Sequence, residues 1–115
     1  MSQSTARHFR ALGRRPQSLG ARVLVAGDSA EHDARVTDLG LGGARLELRE
    51  AIDQGRAVTL RLELPGLWDA LVLAAEIAWR GSVDKNGTVA VGVRFVSPSG
   101  RDLRVLSEAL ANEYR

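Results

Sequence analysis

Along much of the chain after Ala21, apolar and polar residues alternate with a period of two. That is the spacing of a strand with one face toward a core and the other toward water. ARLELRE sets Leu46 and Leu48 against Arg45, Glu47 and Arg49, and AVTLRLELPG sets Val58, Leu60, Leu62 and Leu64 on one face before Pro65-Gly66 stops it. ARVLVA (Ala21–Ala26) is a compact β-type run, and EHDARVTDL offers a short strand around Ala34 to Thr37. LVLAAEIAWRG and TVAVGVRFV read as two more strands, with the hairpin signal Asn86-Gly87 between them. After Pro98 the period changes. Leu103, Leu106 and Leu110 fall at helical spacing with Tyr114 one turn further, and Ser99 with Asp102 forms a capping-box pattern, so a helix is expected over about 99–113. Six short strands and one amphipathic helix predict a small antiparallel barrel or sandwich closed by the helix. The helix stripe is expected to pack on its own domain, with a homodimer surface as the alternative.

Residues 1–19 carry no period and contain Gly13 and Pro16, which predicts a flexible arm ahead of a folded unit over 20–115. Charge sharpens that division. The net charge is only +2, yet Arg7, Arg10, Arg14, Arg15 and Arg22 all precede the first acidic residue, Asp28. An acid-free arginine arm suits an anionic partner. The chain has no cysteine, which excludes disulfides and thiolate metal sites. It also has no apolar run long enough to span a bilayer and no signal-peptide core near its start. A cytoplasmic protein without membrane insertion is the expectation.

Catalytic constellations are missing. His8 and His32 are the only histidines, and neither has metal-ligand spacing. Asp28, Ser29 and His32 cluster in turn material without a nucleophile elbow. GLGG (Gly40–Gly43) has neither dinucleotide-fingerprint nor P-loop spacing, and no helix opens after it. The sequence therefore points to a binding protein rather than an enzyme, with no cofactor. Two motifs remain: RALGR, which spaces Arg10 and Arg14 by four, and DLGLGG, which begins at Asp38.

In this order and ahead of six strands and a helix, the two motifs resemble the PilZ domain family, whose pattern is RxxxR followed by [D/N]xSxxG. AEIAWRG and VAVGVRFVSPSGRDLRVL resemble the family's closing strands and helix, including Trp79 and the Gly92-to-Phe95 ending. The resemblance implies an all-β fold, a six-stranded antiparallel barrel with a C-terminal helix and a flexible N-terminal arm. It also implies a receptor for the bacterial second messenger cyclic di-GMP. Arg10 and Arg14 would then bridge guanine edges and phosphates, since an arginine fork matches guanine O6 and N7. Asp38 would accept from the guanine N1–H and N2–H2 edge, and Gly43 would let the backbone approach the ligand.

Gly40 stands where the family has serine. A hydrogen bond to a charged group is worth about 1.5–3 kcal/mol, roughly ten- to a hundredfold in affinity, so weakened binding is expected. The backbone N–H of Gly40 and the side chain of Arg15 are the candidates to replace the lost contact. On this reading ligand binding draws the arm onto the barrel and alters what a protein effector meets. The alternative is a PilZ protein that has lost the ligand and acts as a protein adaptor in motility, pili or polysaccharide systems. Nucleic acid is disfavoured, because aromatic residues make up only 4% of the chain and leave few stacking platforms.

Overall fold

The computed structural model describes residues 19–113. Six strands succeed one another: β1 (Leu19–Val25), β2 (Glu31–Leu39), β3 (Gly43–Leu48), β4 (Ala57–Leu62), β5 (Leu71–Val83) and β6 (Val89–Phe95). Helix α1 (Gly100–Glu113) follows. All neighbours are antiparallel in the order β1-β2-β3-β6-β5-β4, and β4 returns to β1, so the sheet closes on itself. Closure leaves no unpaired sheet edge. It also decides between the two architectures open at the sequence level in favour of the barrel.

The period-two pattern becomes an inside and an outside. Val23, Leu46, Leu60, Leu62 and Val91 are wholly buried, while Arg22, Arg45, Arg61 and Val72 face outward. The four apolar positions Val58, Leu60, Leu62 and Leu64 are all buried, as their alternation requires. Asn86-Gly87 turns the β5–β6 hairpin. There Asp84 Oδ1 accepts from the N–H of Asn86 at 2.8 Å and of Thr88 at 2.9 Å.

Strand β2 runs well beyond the short segment that its apolar residues suggest. Its register with β1, from Leu19 opposite Val36 to Leu24 opposite Glu31, carries the polar stretch Glu31–Asp33 into the sheet. Pairing with β1 overrides the weak propensity of those residues. Arg22 then meets Glu31 and Asp33, each at 3.5 Å, on the outer surface.

Helix α1 starts at the expected capping box. Asp102 N–H donates to Ser99 Oγ at 3.0 Å, and Ser99 N–H donates to Asp102 Oδ2 at 3.2 Å. Leu106 and Leu110 enter the barrel core with Val105 and Ala109 beside them. The helix therefore packs on its own domain. Leu103, expected on the same stripe, is instead exposed, and the side chain of Tyr114 lies outside the described residues.

Candidate functional site

The glycine-rich segment is the β2–β3 hairpin. Gly40 N–H donates to Gly43 O at 2.9 Å, which leaves Leu41 and Gly42 exposed at the tip, and Phe95 N–H of β6 donates to Gly42 O at 2.9 Å. Neither Gly42 nor Gly43 has a positive φ, so the turn does not demand glycine at either place for backbone reasons. Space separates them. A Cβ on Gly42 meets nothing within 4 Å, whereas one on Gly43 falls inside the contact radius of the Val93 carbonyl oxygen and 3.3 Å from Arg94 Cα. Gly43 thus lets β3 close against β6. The close approach that its glycine serves is between two strands. The N–H of Gly40, expected to be open to an anion, is already donated within the hairpin.

Asp38 lies in β2 itself rather than in the turn, half-buried and opposite Arg45 of β3. From there one line of paired residues crosses four strands: Asp38 to Arg45, Arg45 to Gly92 of β6, and Gly92 to Trp79 of β5. A β-bulge sits at each end of the line, between Val36 and Asp38 and between Ile77 and Trp79. Bulges re-aim side chains, and these two set the outer row. A Cβ on Gly92 would lie 2.7 Å from Trp79 Cδ1 and closer still to Nε1 and Cε2, so the indole lies flat across the glycine. The Arg45 guanidinium carbon stands 5.7 Å from the centre of that ring, within cation–π range. Next to this line Arg94 pairs with Glu76, and Arg35 pairs with Glu47.

The hairpin therefore brings together Asp38, Gly40 and Gly43 of the residues singled out in the sequence. Arg10, Arg14 and Arg15 lie outside the described residues. Trp79 was singled out in the sequence as part of the family resemblance and Arg45 only as a position on the polar face of its strand; their stacking on each other carries no local signal. Asp28 and Ser29 lie in the connection from β1 to β2, whereas His32, expected in the same turn, is paired with Val23 inside β2. Asp28 Oδ1 accepts from Ala30 N–H at 3.2 Å, and that backbone donor holds the carboxyl below its ordinary pKa.

A depression of about 510 Å³ toward the opposite rim involves Glu31, Asp33, Glu47 and Glu50 against Arg35 and Arg49. That balance of charge suits an anion poorly. Among the described residues no group of three metal-ligating side chains occurs, and no helix is long and apolar enough to cross a membrane.

Comparison with known proteins follows the same outline. The family model for the PilZ domain matches residues 5–112. The PilZ domain of YcgR from Escherichia coli, solved with cyclic di-GMP, superposes with a TM-score of 0.68 at 19% identity. That match covers 85% of this chain and 82% of the other. The PilZ domain of CeSA from a cellulose-synthesizing bacterium gives 0.60 at 18% identity over 88% of this chain and 97% of its own. YcgR from Escherichia coli, in complex with the same ligand, gives 0.68 at 19% identity, and the match spans 43% of that chain. Among curated proteins no sequence matches.

Proposed function

The chain belongs to the PilZ domain family, and from that premise we propose that it is a cyclic di-GMP receptor that passes the signal to a protein effector. The observation that carries the reading is the position of Asp38. It stands on the outer face of the barrel, two positions along β2 from Val36, and Val36 is paired with Leu19, where the described chain begins. Arg15 and Arg14 precede Leu19 by four and five residues, which tethers them within about 18 Å of it at full extension. Arg10, nine residues upstream, is tethered within about 32 Å. A carboxylate for a guanine edge and three guanidinium groups for guanine and phosphate therefore lie within reach of one surface.

Ligand capture by an arm and a barrel face together alters the surface offered to an effector. The adaptor reading, in which the ligand has been lost, leaves the arginine pair of the RxxxR motif without a role. Calorimetric titration of cyclic di-GMP tests the choice. A saturable heat is expected at tens of micromolar protein, weakened about tenfold in Arg10→Ala through loss of a charged hydrogen bond. Silence, or an Arg10→Ala protein indistinguishable from wild type, favours the adaptor.

A further inference from the structure

We propose that the β4–β5 loop and the start of α1 form a homodimer surface, in which Trp68 of each copy fills a depression on the other. Asp69 of one copy pairs with Arg101 of the other across the two-fold axis. The loop is built to present the indole. Buried Leu64 anchors it, and Leu64-Pro65-Gly66-Leu67 is a tight turn, with Gly66 at φ +86° and Leu67 N–H donating to Leu64 O at 3.3 Å. Trp68 follows directly and is fully exposed, and Leu67 beside it is exposed too. An indole held out in water forgoes the gain of burying a large apolar surface, and tryptophan is among the residues that most often anchor an interface.

Beside this projection lies its counterpart. A depression of about 450 Å³ runs between the loop and the first turn of the helix, lined by apolar Leu71, Val72 and Val105 and by the charged Asp69 and Arg101. Its volume falls within the roughly 300–1,000 Å³ of cavities that take a small molecule, and an indole is smaller than that. The charges point to the occupant. Arg22, Arg35, Arg61, Arg80 and Arg94 are each taken up by a carboxylate, whereas Arg101 and Asp69 form no ion pair among the described residues. Asp102, also in the depression, is committed to the helix cap. A projection, a depression and one unpaired charge of each sign on a single patch make it complementary to itself, as a two-fold contact requires. The net charge of +2 sets little repulsion against such a pair. A loop and one helical turn supply fewer than the roughly 20–30 residues a side of a standard interface, so the dimer is weak, dissociating at about 10–100 μM. In the closed sheet β1 stands between β4 and β2, so the surface is separate from the β2–β3 hairpin.

Sedimentation velocity of the full chain without ligand, from about 5 μM to 1 mM, tests the proposal. A monomer–dimer equilibrium is expected, weakened about thirtyfold or more in Trp68→Ala, as for an aromatic interface anchor. Asp69→Arg and Arg101→Asp are each expected to weaken it about tenfold by setting like charges together. The double swap is expected to return to within about threefold of wild type, since it restores the pair with its signs exchanged. A chain that stays monomeric throughout leaves the patch to a different protein and overturns the proposal. A dimer that Trp68→Ala leaves as tight, or a double swap no tighter than the single ones, overturns it as well. Cyclic di-GMP plays no part in the measurement, so its failure leaves the receptor reading standing.

Discussion

Gly40→Ser is expected to tighten cyclic di-GMP binding by ten- to a hundredfold, read by calorimetry on both proteins at one salt concentration. The hydroxyl adds a donor to the hairpin that carries Asp38, and a hydrogen bond to a phosphate oxygen is worth about 1.5–3 kcal/mol, with 1.4 kcal/mol per tenfold in affinity. The main chain offers no substitute at that residue, because the Gly40 N–H is donated to the Gly43 carbonyl at 2.9 Å. Serine also narrows the conformations open to the free loop, which adds a smaller gain of the same sign. An affinity unchanged by the substitution places the phosphates away from residue 40 and removes the account of weakened binding.

Gly43→Ala is expected to damage the barrel rather than the ligand site. Its new Cβ meets the Val93 carbonyl and the Arg94 backbone, atoms that cannot swing aside as a flexible side chain does. Strand β3 must then separate from β6 beside the hydrogen bond from Phe95 N–H to Gly42 O. Overpacking of this kind costs about 3 kcal/mol, which for a domain of this size lowers Tm by roughly 12–24 °C. Gly42→Ala next door has open space and no positive φ, and is expected to melt within a few degrees of wild type. A Gly43→Ala protein that melts normally and fails only to bind would return Gly43 to the ligand.

The contrast between these two glycines shows where the sequence stops being informative. Their motif is visible as DLGLGG, but their separate reasons are not, because the atom that Gly43 avoids belongs to a residue fifty positions away. Strand β4 was fully legible, since every second residue from Val58 to Leu64 is apolar and buried. The first half of β2 was not. Glu31, His32 and Asp33 carry no apolar alternation, and their strand state comes from pairing with β1. Leu103 shares helical spacing with Leu106 yet stays exposed, because the stripe that meets the barrel is centred on Leu106 and Leu110 with Val105 and Ala109.

Of the candidate site, Asp38 was legible through its motif and Arg45 only as a polar position. The row from Asp38 to Trp79 is a product of register. Its members are brought together by one short hairpin pairing and two longer-range ones and displaced by two bulges, and the bulges leave no local pattern. Trp79 could be read in sequence as an apolar strand residue and as part of the family resemblance, but its seat could not. Its role depends on Gly92 beneath it, thirteen positions later.

The central claim is that cyclic di-GMP binds the barrel face built on the β2–β3 hairpin. Amide chemical-shift mapping of the full chain during titration with cyclic di-GMP tests it most directly. The account predicts shifts concentrated at Asp38, Gly40, Gly42, Gly43, Arg45 and Gly92 and at the Trp79 indole N–H, with Asp84, Gly87 and Thr88 of the β5–β6 turn unmoved. Shifts confined to that turn and the neighbouring Glu31–Asp33 rim, or none at saturating ligand, would contradict it.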